Sequence, residues 1–440
     1  MDIQDREDLV RDREVREHLL QVLEAAVDAV DPYNAVMNAL ELEGDVLRVD
    51  GTEYDLSGYC SVYVVGGGKA TAGMARAVNE LIGDRITEGL VNVLEEGEKG
   101  AIELHRSSHP HPSEEGMEGA KRIMNICSKA KEKDLVIALI SGGGSAMMPL
   151  PCEGITVEEK RETAEKLMEA GVTINELNAV RKHLSMIKGG QMAKAAFPAD
   201  IISLIMSDVV DDPLEGISSG PTAPDGSTFQ DALDVIERYH LIGEMPDSVM
   251  AHLRKGEGET PDREDQVFDK VQNLVVANNR IALMAAEGMA MELGYSALLL
   301  SSSLEGEARE VGTALAAMGN EVLVSSHPLP PPCVLLAGGE TTVTVRGNGT
   351  GGRNSEMVLS ALRKIREGVT FLSFGSDGVD GKSHAGGAMT DLFDRMDDLE
   401  RFLENNDSAT YMEREGGLIV TGPTGTNVGD IVLLAIPKKE

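Results

Sequence analysis

A chain of 440 residues exceeds what one core ordinarily organises and predicts about two domains. Its formal charge of −34, from 40 Lys and Arg against 74 Asp and Glu, makes nucleic acid and anionic membranes poor partners, because both would be repelled by such a field. Aromatic residues are only 3% and Trp is absent, so the core must be aliphatic, which suits helices packed on parallel sheets.

The N-terminal stretch MDIQDREDLVRDREVREHLL carries charge throughout, and no uninterrupted apolar run of about 18 residues occurs anywhere. A soluble, cytoplasmic protein is the expectation. The acidic excess is spread along the chain, which predicts self-repulsion relieved by a salt-rich cytosol. Cys60, Cys127, Cys152 and Cys333 lie far apart without a CxxC pair, so neither a zinc site nor a disulfide framework is expected.

In chain order, residues 14–30 place Val15, Leu19, Leu20, Val22, Leu23, Ala26, Val27 and Val30 on one broad face and predict a helix that stops near Asp31 and Pro32. Short apolar runs then alternate with helical patterns. The clearest are residues 61–65, 135–140, 201–206, 274–277, 297–300, 334–337 and 371–374. This alternation predicts an α/β protein of two domains, each with a mostly parallel sheet flanked by helices, with ligands at the carboxyl ends of the strands. The polar stretch 254–265 is the expected linker, and HPLPPP (327–332) a stiff connector in the second half.

Chemistry is therefore sought just after each strand. Gly66, Gly67 and Gly68 follow the first run, and Lys69 opens a helix, a combination suited to an anion although it matches neither GxxxxGK[ST] nor GxGxxG. Ser141, Gly142, Gly143, Gly144 and Ser145 follow the second and are expected to hold nucleotide phosphates; a serine nucleophile is disfavoured because the GxSxG elbow is missing. Asp208 ends the third run, where a carboxylate can hold Mg²⁺ or accept a hydroxyl proton. Further on come Glu340, a glycine-rich loop delivering Arg353, and Asp377 with Asp380 after another strand. Arg353 suits a phosphate or carboxylate clamp. Asn354 suits an N-cap and Glu356 a first helical turn, while His109 between prolines fits a turn or a substrate contact.

The ordered series GGGKA, SHPHPSEEG, LISGGGSAM, TINELNAVRKHLSMIKGGQMA, SDVVDDPLEGISSGPT, GGETTVTVRGNGTGGRNSEM, SDGVDGKSHAGGA and TGPTGTNVGD spans nearly the whole chain. It closely resembles the class II glycerate kinases, the glycerate 2-kinase family whose C-terminal half is called the MOFRL domain. The resemblance implies a larger Rossmann-like glycerate kinase domain over residues 1–254 and a MOFRL domain over 264–440. It further implies ATP and Mg²⁺, transfer to the 2-hydroxyl of D-glycerate to give 2-phosphoglycerate, and an active site in an inter-domain cleft. A homodimer is the assembly considered. Carried over residue by residue, Lys69, Asp208 and Arg353 are expected as catalytic residues, and Gly66 to Gly68, Ser141 to Ser145 and Glu340 as nucleotide contacts. Asp208, Asp377 and Asp380 are the expected metal ligands. The rival enzyme is an NAD(P)H-dependent hydroxypyruvate reductase, disfavoured because GxGxxG is absent. A non-enzymatic binding protein is disfavoured by the charge that Lys69, Asp208 and Arg353 bring together.

Overall fold

The computed structural model describes residues 1–11, 13–391 and 398–438. Two compact units appear, the first of residues 32–207 and 212–276, the second of residues 1–31, 208–211 and 277–440. These differ from the division expected near residues 254–264. The supposed linker is pinned inside the first unit, where the Asp225 amide donates to Pro261 O (3.0 Å) and Glu259 Oε1 accepts from the Phe229 amide (2.9 Å). The N-terminal helix Glu14–Ala29 lies in the second unit, packed on helix Asn279–Glu292. Arg16 Nε ties it to Asp391 Oδ2 (2.9 Å) and Val30 O accepts from Thr426 Oγ1 (2.6 Å). Buried apolar faces decide this division, and sequence adjacency does not.

The first unit opens with an antiparallel meander, Leu40–Glu43 (β1), Val46–Val49 (β2) and Thr52–Asp55 (β3). Its main sheet contains Ser61–Gly67 (β4), Glu88–Val93 (β5), Gly97–Lys99 (β6), Ile102–Arg106 (β7), Asp134–Ile140 (β8), Asp200–Met206 (β9) and Val271–Ala277 (β10), in the order β10-β9-β8-β4-β5-β7-β6. Strands β9, β8, β4, β5 and β7 are parallel, and β6 is antiparallel to β7. Every residue of β8 is buried, which is why DLVIALI shows no polar alternation: helices cover both faces. From β4 the chain proceeds to β5 on one side, whereas β8 is followed by β9 on the other. The carboxyl ends of β4 and β8 therefore flank the point where strand order reverses, the place where open α/β sheets form a ligand crevice.

The second unit contains Ser296–Leu304 (β11), Cys333–Gly339 (β12), Thr370–Gly375 (β13), Gly387–Thr390 (β14), Leu418–Ile419 (β15) and Asp430–Ile436 (β16), ordered β11-β12-β16-β13-β14-β15. Only β11 and β12 are recorded as a parallel pair, so this sheet is mixed and corrects the expectation of a mostly parallel one. The last strand, β16, inserts between β12 and β13 and runs against both. The short 376–386 connection leaves no room for the crossover helix that parallel pairing of β13 and β14 would require. The α/β class itself is as expected. No described helix is long and apolar enough to cross a membrane.

Candidate functional site

Both glycine runs lie at the β4/β8 switch point. A Cβ at Gly68 (φ +148°) would overlap Ser141 Oγ, so glycine there permits the two loops to touch. The amides of Gly68, Lys69 and Ala70 donate to Asn92 O (3.2 Å), Gly142 O (3.0 Å) and Ser141 Oγ (3.1 Å). These three donors are spent within the fold. What the corner presents outward is the exposed Lys69 side chain.

In the second run, Ser141 is a buried acceptor for Ala70 and Gly144 packs on Ser218, whereas Gly143 and Ser145 face a cavity. The Gly142 and Gly143 amides donate to no acceptor among the described residues. A Cβ built on Gly143 would stand 2.9 Å from His109 Cδ2 and 3.2 Å from Lys69 Cγ, so Lys69 and His109 border the same loop. Burial, with Lys69 and His111 adding positive charge, pulls the His109 imidazole below its ordinary range. His109 is thereby held neutral near pH 7.

The cavity, of about 330 Å³, is of ligand-pocket size. Its apolar side is made by Pro149, Val157, Ala164 and Met168, and its polar side by Ser145, Lys160, Arg181 and Lys188, with Arg161 and Glu165 at its border. Lys160 Nζ donates to Leu184 O (3.2 Å) and Lys188 Nζ to Ser145 O (2.9 Å) and Ser218 O (3.5 Å). Burial pulls the Lys160 ammonium down to about 7 and the Lys188 ammonium well below its usual value, and the neighbouring Arg181 charge lowers both further. Sequence reasoning missed these three cations. A signal existed for Lys160: in helix Val157–Glu169 it shares the buried stripe of Val157, Thr163 and Leu167, a position where lysine is costly.

The second unit holds the other expected residues. Arg353, the first residue of helix Arg353–Leu362, directs Nε to Asp430 Oδ1 (2.9 Å) and Nη1 to Glu340 Oε1 (2.8 Å). Burial raises the Asp430 carboxyl to about 6 against the pull of Arg353 and Asn354. Glu340 thus meets a guanidinium here. Asn354 is not the N-cap: Gly352 occupies that place, and Asp380 from a later loop accepts from the amides of Asn354 (2.8 Å) and Ser355 (2.9 Å) and from Ser355 Oγ (2.6 Å). Glu356 is buried and paired with Arg309 Nη2 (2.6 Å). Asp377 Oδ1 accepts from the Val379 amide (3.0 Å), and Asp208 Oδ2 from Asn427 Nδ2 (3.3 Å). Both Asp380 oxygens thus accept hydrogen bonds at the N-terminus of that helix. Among the described residues no three His, Cys, Asp or Glu side chains are grouped to hold a metal ion.

Comparison with known proteins matches residues 18–254 to a domain of unknown function, DUF4147, and residues 333–430 to the MOFRL family. A glycerate 2-kinase from Pyrococcus horikoshii is 39% identical, with 97% of this chain and 98% of that protein covered. A protein from Agrobacterium vitis with a provisional hydroxypyruvate reductase name is also 39% identical, covering 97% of this chain and 95% of its own length. The crystal structure of a glycerate kinase from Thermotoga maritima superposes with a TM-score of 0.85 at 35% identity, covering 96% of this chain and 99% of that one.

Proposed function

Because the chain belongs to the glycerate 2-kinase family, with a MOFRL domain in its C-terminal part, we propose that it transfers the terminal phosphoryl group of ATP to the 2-hydroxyl of D-glycerate. The observation that carries this assignment is similarity over practically the full length to a glycerate 2-kinase, joined by the same fold in a solved glycerate kinase. The switch-point chemistry agrees. Lys69 runs beside Gly143 and ends in an exposed ammonium that can neutralise charge growing on transferred phosphate oxygens. Held neutral, His109 adds a hydrogen-bonding edge without further positive charge.

By the family resemblance Asp208 is the acidic site residue and Arg353, with Lys69, part of the catalytic or phosphate-binding basic pair; a carboxylate at Asp208 can accept the hydroxyl proton or hold Mg²⁺. Arg353 is preorganised by Asp430 and Glu340, which fix the plane of its fork. The residues present fit Mg²⁺ held largely through phosphates and water, with Asp208 and Asp377 as protein carboxylates, and do not fit a cage made by the protein alone. The chemistry such an ion would supply there is neutralisation of phosphate charge during transfer.

The test is incubation with D-glycerate, ATP and Mg²⁺, following ADP release, with phosphorus NMR of the product. The expected product is 2-phosphoglycerate, and solely the 3-isomer would overturn the regiochemistry. NADH oxidation with hydroxypyruvate, run beside it, is expected to be absent. Turnover there without ADP formation would replace the kinase by the reductase.

A further inference from the structure

The first unit carries buried positive charge that folding alone does not require. Lys182 shows how this chain treats a structural cation: its ammonium lies 3.0 Å from the fully buried carboxylate of Asp225. Lys160, Arg181 and Lys188 line one cavity, and none has a carboxylate at ion-pair distance among the described residues, although acids far outnumber bases in the chain. Among the described residues that line the cavity, the acid is Glu165, a surface partner of Arg161 at 3.8 Å. The hydrogen bonds from Lys160 and Lys188 go to backbone carbonyls, which neutral donors could satisfy at lower cost than a desolvated ammonium. Three basic groups held together without a counterion are stabilised in their charged form when an anion enters.

We infer that Lys160, Arg181 and Lys188 are the countercharge for the phosphate chain of the nucleotide, bound in this cavity with its base against Val157, Ala164 and Met168. This rests on the kinase assignment above. Two features favour a nucleotide over the carboxylate of glycerate: a three-carbon acid would leave most of a 330 Å³ cavity empty, and a single carboxylate would leave two of three cations unmatched. Continuity with Ser145 and Gly143 at the β4/β8 crevice places the chain of phosphates toward Lys69, which borders Gly143 from the neighbouring loop. The depressed basicity of Lys160 and Lys188 adds a consequence: anion entry draws protons onto them.

Calorimetric titration of the full-length protein with ADP, adenosine and D-glycerate separately, each in two buffers of different ionisation enthalpy, tests this for wild type, Arg181→Met and Lys160→Met. Each substitution is expected to weaken ADP by about 10- to 100-fold, the scale of one lost charge-assisted contact, and to leave adenosine and D-glycerate unchanged. Proton uptake with ADP near pH 8 is expected in wild type and reduced in Lys160→Met. Should Arg181→Met lack a thermal transition, Lys160→Met carries the comparison. Unaltered ADP affinity in variants of a wild type that binds ADP overturns the inference and leaves the kinase standing. Equal losses of ADP and adenosine, or a loss confined to D-glycerate, also overturn it. A wild type that binds no ADP overturns the kinase assignment as well.

Discussion

Replacing Lys160 by Met should stabilise the ligand-free protein at neutral pH and destabilise it in alkali. In the folded state burial lowers this ammonium from 10.5 to about 7, whereas in the unfolded chain it titrates normally. Between those values the unfolded state binds the extra proton, so stability rises with pH across that window; below about pH 7 both states are protonated and the penalty is constant. At ~1.4 kcal/mol per pH unit the gap corresponds to at most about 5 kcal/mol. Removing the donor to Leu184 O costs about 1–3 kcal/mol, which leaves a net gain of about 2–4 kcal/mol for the variant near pH 7. The sign reverses where the remaining penalty equals the hydrogen-bond cost, between about pH 8.5 and 10, and above about pH 10.5 only the lost hydrogen bond remains. Cys152, Arg181 and Lys188 face the ammonium; Arg181 stays cationic, burial pushes the Cys152 thiol up, and Lys188 remains in both proteins. The difference between wild type and variant therefore isolates Lys160. Urea midpoints at pH 7, 8, 9 and 10 read it by circular dichroism. Parallel curves, or a variant less stable at every pH, would refute the account of a strained, functional lysine.

Lys69→Ala is expected to lower kcat by on the order of 10²-fold, measured by coupled ADP release, with an unchanged melting temperature because the side chain is exposed. Near wild-type turnover would remove Lys69 from the phosphoryl site. Asp225→Ala leaves the buried Lys182 only the exposed Glu215 carboxylate at 3.6 Å and should cost about 3–5 kcal/mol in urea unfolding; a loss below about 1 kcal/mol would contradict the structural role given to that pair.

Local composition determined much of this protein by itself. All seven apolar runs singled out from the sequence lie in strands, and most of them are buried on both faces of a sheet, as a short apolar run of that length favours; 297–300 and part of 274–277 are only half-buried. The N-terminal helix was legible from its 3.6-residue period, and the two glycine runs from their place after strands. Strand Glu88–Val93 was not legible, since Gly89 and Asn92 interrupt its pattern; Asn92 is there to bond Gly116 O (2.8 Å) and Met147 O (2.7 Å), partners distant in sequence. Asp430–Ile436 carries the same apolar signature as the other strands, yet no local rule could place it between β12 and β13 or tell that its Asp430 receives Arg353. The same limit applies to the site. Sequence marks Lys69, Asp380 and Lys160 only as charges, whereas exposure beside Gly143, commitment to a helix N-terminus and burial without a carboxylate are set by what long-range packing brings against each. Tertiary structure alone decides these because desolvation and pairing depend on neighbours in space.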